Sequence, residues 1–530
     1  MLSSSHIGRL LVALLLVLGA ADASAQSFRV QCPAGTKLHP ATVPTGYSTF
    51  TQWGRTDGLL NPTPTMANPN IKCQQIAGGD GFVTMGDGVQ TYLFGFGPLS
   101  GLADIVSGLP GTQPASVFNV DSSSSVLNIG DPTPSGYTFN GAVGLVPDPE
   151  SDPPGLLTGH VDPRPIMDVG VMNASEPAPL MAIDEDDEFF LTLTNVGQIM
   201  RPDLFEQHTV HFHGYPNASA FYDGVPDASI AINIGGSFTY YYLAPEAGTY
   251  FWHCHISPPE HLQMGMVGQI YVRPRQNRVT GDLGVALKAA NMTYGPSATG
   301  MACNDILCSN QTPLPAGANA TTGATGVNGG GMYAYNDGNG STRYDVEYPI
   351  QMMGFDSNFH FVGMTFNPES FTDMKDKYHM LNGRSYPDTI SPGPMQTQST
   401  DGTLHSSQVL PTIINIPAGG RALLRISDLS VTEFTTLASL GIPMKVIALN
   451  ARLLRDTAGN DMSYTTNSVT LGGGESLDVI LDATGYSAGQ KFYLYTPNLN
   501  YLSNGAENFG GMMTEVNICT SVAPTTKACS

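Results

Sequence analysis

The stretch that decides the reading runs from His208 to Met266. It opens as His208-Thr-Val-His211-Phe-His213-Gly214 and closes as Trp252-His253-Cys254-His255, followed by His261 and Met266. It holds six of the chain's twelve histidines and one of its seven cysteines. In a β-strand alternate residues share a face. His211 and His213 therefore point one way, His253 and His255 share a face, and Cys254 points opposite to its two neighbours. The cysteine is then placed to join a second set made of His208, His261 and Met266.

One thiolate, two imidazoles and a weak axial thioether make the ligand set of a blue-copper (type 1) electron-transfer centre. The other four histidines suit a second copper site on the far side of the same strands. Cys254 links the two sets, because His253 and His255 flank it in the chain. A lone histidine carries no such message; this combination of residue types at this spacing does. A methionine at the axial position points to a moderate rather than a very high redox potential.

These motifs resemble the copper-binding signature of the multicopper oxidases, the laccase-like and metal-oxidising cupredoxin enzymes. The resemblance is strong over roughly residues 160–275 and weaker over 345–519. It implies an all-β chain of two cupredoxin-like domains, Greek-key β-sandwiches with long loops, with the mononuclear copper in the first. It implies His208, Cys254, His261 and Met266 as the mononuclear ligands. It likewise implies His211, His213, His253 and His255 as ligands of a type 2/type 3 copper cluster that reduces O2. Electrons from a small reductant, a phenol or a metal ion, would enter near His261 and pass through Cys254. The seven-residue step from Cys254 to His261 is longer than usual in that family, and Ser257-Pro-Pro-Glu260 reads as a loop absorbing the difference. Asp223, in Asp223-Gly-Val-Pro226, matches the position where first domains of the family carry an acid that assists proton delivery. A plain turn aspartate before glycine is an equal reading of those residues.

The second half resembles a cupredoxin domain without its ligands. Met380-Leu-Asn-Gly-Arg-Ser-Tyr-Pro387 is similar to a segment of the family's middle domain, and Arg421–Ile426, Met444–Ile447 and Leu477–Leu481 read as strands. Where a second H-x-H would fall stands Tyr495-Thr-Pro-Asn498, and no H-x-H occurs after residue 255. His360, His379 and His405 read as surface or satisfied core residues. A full cluster takes two H-x-H pairs from each of two domains, so one chain offers half. Two copies of the first domain can pool their histidines in a homo-oligomer. A neighbouring chain can donate one histidine, as in copper nitrite reductases. Or the site is vestigial, and the protein is a single-copper electron-transfer or copper-binding module. Asp223, both histidine pairs and Cys254 stand together, which favours a catalytic site.

The rest of the chain agrees. Residues 1–25 read as a secretory signal peptide, with Arg9, the apolar run Leu10–Leu18 and Ala23-Ser-Ala25 before the cut. That core is too short to span a membrane, and no other stretch is long enough. Export to a periplasmic or extracellular space follows. With 60 Gly, 39 Pro and 12% charged residues, the composition is that of a loop-rich β protein. A net charge of −22 argues against nucleic acid and anionic membrane surfaces as partners. Six cysteines besides Cys254 imply disulfides, for which proximity favours Cys32–Cys73, Cys303–Cys308 and Cys519–Cys529 among 15 pairings. The expected organisation is a copper-binding domain over 26–275 with an N-terminal elaboration, a linker over 276–345, the second domain over 346–519 and a tail over 520–530. Within the first domain Tyr92–Phe96 reads as an early strand, and the acidic run Asp184–Glu188 as a solvated turn feeding the next one.

Overall fold

The computed structural model describes residues 71–118, 169–278 and 332–530, apart from gaps at 217–218, 366–369 and 399–401, with short pieces around 32–39, 283–285 and 306–314. The signal peptide and the Cys303–Cys308 pairing lie outside the described residues. Strands dominate. The first half forms two sheets from β1 (Ile71–Thr84), β2 (Gln90–Pro98), β3 (Met181–Asp184), β4 (Glu188–Gly197), β5 (His211–His213), β6 (Ser237–Leu243), β7 (Gly248–His253) and β8 (Val267–Arg273). One sheet runs β2-β1-β4-β6 and the other β3-β8-β7-β5. Their inner faces meet in one core that includes Phe96, Phe189, Phe212, Tyr242, Trp252 and Ile270. Burying each such aromatic contributes roughly 1.5–3 kcal/mol.

Two features depart from the expectation. β1 carries the sequence Ala77-Gly-Gly-Asp-Gly81 in its middle, and glycine ordinarily weakens a strand. Here neighbours crowd it: a Cβ on Gly78 would lie 2.8 Å from the His208 ring, and one on Gly79 would lie 2.7 Å from Val196. The acidic run is not a solvated turn. Glu185 and Asp187 are fully buried, Asp186 pairs with Arg275 at 2.9 Å and Arg278 at 2.7 Å, and Glu188 meets His39 at 2.7 Å. The run is acidic because it neutralises two arginines from the segment following β8.

The second half repeats the plan. It contains β9 (Val346–Phe355), β10 (Tyr378–Leu381), β11 (Ile414–Pro417), β12 (Arg421–Asp428), β13 (Thr435–Leu440), β14 (Met444–Leu449), β15 (Arg452–Leu453), β16 (Ser468–Leu471), β17 (Ser476–Asp482), β18 (Lys491–Tyr495) and β19 (Met513–Cys519). The sheets run β10-β9-β12-β17-β14-β15 and β11-β19-β18-β13-β16, enclosing a core of Ile350, Leu424, Val446, Val479 and Leu494 among others. The chain is therefore all-β, with two sandwich units. Disulfides Cys32–Cys73 and Cys519–Cys529 form as proximity favoured. Among the described residues no helix is long and apolar enough to cross a membrane.

The halves meet along a sealed face. Val83, Leu93, Phe251 and Val267 pack with Met353, Phe355, Tyr378 and Leu429. Gln269 donates to the Arg425 carbonyl at 2.9 Å and to Ser427 at 2.8 Å, and Ser476 donates to the Thr249 carbonyl at 2.6 Å.

Candidate metal centre

The antiparallel pairing of β5 with β7 sets His211 opposite His253, Phe212 opposite Trp252 and His213 opposite Phe251. Alternation then sends Phe212 and Trp252 into the core and the histidines to the other face. The ligand nitrogens of His211, His213 and His253 come within 4.8 Å of one another. His255 lies beside them, its ring centroid 5.1 Å from that of His211. Two of these rings are oriented by backbone. His211 Nδ1 lies 2.7 Å from the Asp223 carbonyl, and His253 Nδ1 lies 2.7 Å from the Cys254 carbonyl. Each Nδ1–H is thereby committed, which leaves the Nε2 lone pair free to bind a metal. Burial, then the neighbouring imidazoles, press the His253 pKa down to about 3, so the ring is neutral near pH 7. His213 is lowered for the same reasons.

Asp223 stands at this group. Its carboxylate Oδ2 is 3.5 Å from His211 Nδ1 and its side chain is 29% exposed, so it touches both a candidate ligand and solvent. His213 is the most open of the set, and Gly474 of the second half approaches it so closely that a Cβ there would lie 3.2 Å from Nε2.

On the core side, His208, Cys254 and His261 form a second group with ligand atoms within 4.8 Å and all three residues buried. The Cys254 sulfur is 3.3 Å from His261 Nδ1 and receives the Thr209 backbone N–H at 3.4 Å. Thr209 in turn accepts the His255 N–H at 3.0 Å, so one residue touches both groups. The extra length between Cys254 and His261 is wound into α1 (Pro258–Gln263) rather than left as loop. Prolines in the first turn suit it, since those N–H groups have no intrahelical partner. Met266 is fully buried, its N–H bonding the His261 carbonyl at 2.8 Å and its carbonyl receiving the Cys254 N–H at 3.0 Å.

These groups fit a metal. His208 is fully buried, and neither of its ring nitrogens has a hydrogen-bond partner among the described residues. Leaving such atoms unpaired costs about 1–3 kcal/mol each, and a metal at the Cys254 sulfur satisfies one of them. His261 Nε2 faces the Glu206 carboxylate at 3.5 Å, a neighbour that sequence reading missed because Glu206 belongs to no motif. Phe94 packs edge-on against His261, centroids 5.2 Å apart.

The three histidines of the second half have other surroundings. His360 has both ring nitrogens against backbone carbonyls, and His379 stacks on Tyr501 with centroids 3.6 Å apart. His405 lies in a short strand, Leu404–Gln408, and joins neither group. The strand ending at Tyr495 adds no ligand either.

Residues 159–277 match the family model described as multicopper oxidase. Laccase abr2 of Aspergillus fumigatus is 33% identical over 109 residues, covering 20% of this chain and 17% of its own. A copper-containing nitrite reductase of Rhizobium meliloti is 34% identical over 127 residues, 23% of this chain and 29% of its own. The chain thus spans 17% and 29% of the length of these two curated relatives. A blue copper oxidase from Nitrosomonas europaea has a similar structure, with TM-score 0.46 and 17% identity over 84% of this chain and 85% of that one.

Proposed function

We propose that the chain, whose residues 159–277 match the multicopper oxidase family model, is an exported, copper-dependent oxidoreductase. It takes electrons from a small reductant, a phenol or a metal ion, at one ligand group and reduces O2 at the other. His208, Cys254, His261 and Met266 hold the mononuclear copper; His211, His213, His253 and His255 hold the second site. Bound there, copper supplies one-electron uptake at the first group and O2 reduction at the second. The residues supply the rest. Cys254 is bonded along the chain to His253 and His255, which gives a covalent path from the buried sulfur to the other ligand face. Asp223 Oδ2, between His211 and solvent, carries protons inward. The second unit, residues 346–519, contributes no ligands and braces the first.

The observation that carries this reading is the fully buried, hydrogen-bond-free imidazole of His208 beside the Cys254 sulfur. The open face at His213 favours completion of the second site by another chain, either as a pooled cluster or as a shared copper of the nitrite-reductase kind. The test is copper per chain on copper-loaded protein, with visible and EPR spectra. More than one copper, with the second signal lost in His211→Ala/His253→Ala, supports an interchain catalytic site. One copper with only the thiolate signal, and no O2 consumption with any reductant, replaces the proposal with a single-copper electron carrier.

A further inference from the structure

Among the described residues the second half adds no histidine or cysteine to either ligand group, yet one of its side chains meets two elements that border the mononuclear group. Helix α2 (Ser357–Gly363) starts on Asp356, whose carboxylate accepts the N–H groups of Asn358 and Phe359. One turn in, His360 is fully buried and stacked on Phe355, with centroids 3.6 Å apart and planes 21° from parallel. Its Nδ1 lies 2.6 Å from the Tyr92 carbonyl and its Nε2 lies 2.7 Å from the Gln263 carbonyl.

Those two carbonyls matter for what lies next to them. Tyr92 belongs to the edge strand β2, two residues before the Phe94 ring that packs on His261. Gln263 ends α1, two residues after His261 and three before Met266. Carbonyls in the last turn of a helix have no intrahelical partner, and the His360 ring stands within hydrogen-bond reach of the Gln263 carbonyl. We propose that His360 is a positioning residue for the mononuclear site: a strut between β2 and α1 that fixes where the His261 imidazole stands relative to the Cys254 sulfur. The proposal rests on the reading of His261 as a ligand.

Further ties run the same way. The Gln263 side-chain amide donates to Asp376 at 2.8 Å, and Thr432 donates to the other oxygen of that carboxylate. Arg201 donates to the Gly363 carbonyl and to the Thr365 carbonyl at 2.6 Å, holding the end of α2 against the segment that carries Glu206. His360 thus bridges the helix that carries His261 and the strand whose Phe94 ring packs on it.

The test uses the full chain loaded with Cu(II), comparing wild type with His360→Phe, which keeps a flat ring on Phe355 and loses the ring nitrogens that face the two carbonyls. Copper per chain, the thiolate-to-copper charge-transfer band, the EPR hyperfine splitting and the mononuclear reduction potential are read together. His360→Phe is expected to keep its copper while the band, splitting and potential all move; His360→Gln, which keeps an amide donor, falls between. Should His360→Phe fail to fold, His360→Gln is read alone, with a smaller shift expected and an unchanged spectrum overturning the proposal. A wild-type band that stays unchanged in His360→Phe overturns the proposal alone. Wild-type protein that binds Cu(II) without any thiolate band overturns the ligand reading, and the proposal with it.

Discussion

The sulfur of Cys254 lies 3.3 Å from Nδ1 of His261, inside a core that excludes water from both. Burial by itself raises a thiol's pKa, but His261 opposes it by charge and hydrogen bonding and the net movement is downward. That shift favours the thiolate, which is the form that binds a metal. Cys254→Ser is therefore expected to abolish the charge-transfer band. It should also weaken Cu(II) or Co(II) binding by at least the ~100-fold that outer-sphere partners alone can cost. An absorbance titration with Co(II) measures both, and an unchanged affinity would place the metal elsewhere.

Gly78 and His208 make a second, steric prediction. A Cβ on Gly78 would sit 2.8 Å from Cδ2 of the imidazole, and the ring is fully buried. Gly78→Val should lower stability by about 1–3 kcal/mol, as overpacking does, and selectively deplete the mononuclear copper. Copper analysis with EPR separates the two sites, because His211 and His253 lie on the opposite face of their strands.

Glu176 gives a pH dependence. It is fully buried, with neither carboxylate oxygen hydrogen-bonded among the described residues, and burial pushes its pKa up to about 8 from an ordinary 4.5. Between those values the folded chain holds a proton that the unfolded chain has released. This contribution to stability is full below pH 4.5 and is lost as the pH rises to about 8, at ~1.4 kcal/mol per unit. Denaturant unfolding of metal-free protein at several pH values should show that decline, and Glu176→Gln should flatten it. Equal slopes in the two proteins would mean that the carboxyl ionises freely.

What sequence could say about this molecule was local. Alternation places His211, His213 and His253 on one face and Phe212 and Trp252 on the other, and the strand-like runs at Arg421, Met444 and Leu477 all lie in strands. What it could not say was set by distant neighbours. The glycines of β1 look like a loop until His208 and Val196 are seen against them. Asp184–Glu188 looks solvated until Arg275 and Arg278 fold back onto it. His360 belongs to no motif, and its partners lie 268 and 97 residues away.

The same distance problem hides the ion network that joins the halves. Glu347 accepts from Arg425 at 2.7 Å and from Arg273 at 2.9 Å, while Arg425 also faces Asp478 at 3.8 Å. Arg273 ends β8 of the first unit, whereas Arg425 and Glu347 belong to adjacent strands of the second. The Arg425 guanidinium is fully buried and stacks over Tyr271, 4.7 Å from its centroid. Burial opposes ionisation of Glu347, yet the two arginines hold its pKa well below the carboxylate range. Glu347→Gln would leave two guanidiniums with one carboxylate between them, and breaking a buried pair by removing one partner costs about 3–5 kcal/mol. The denaturation midpoint should fall accordingly, with the loss shrinking at acid pH, where the unfolded wild-type carboxyl is protonated and the native pair no longer gains from its low pKa. A change under about 1 kcal/mol would mean that water reaches the guanidiniums and that this ion network adds little to the contact between the two units.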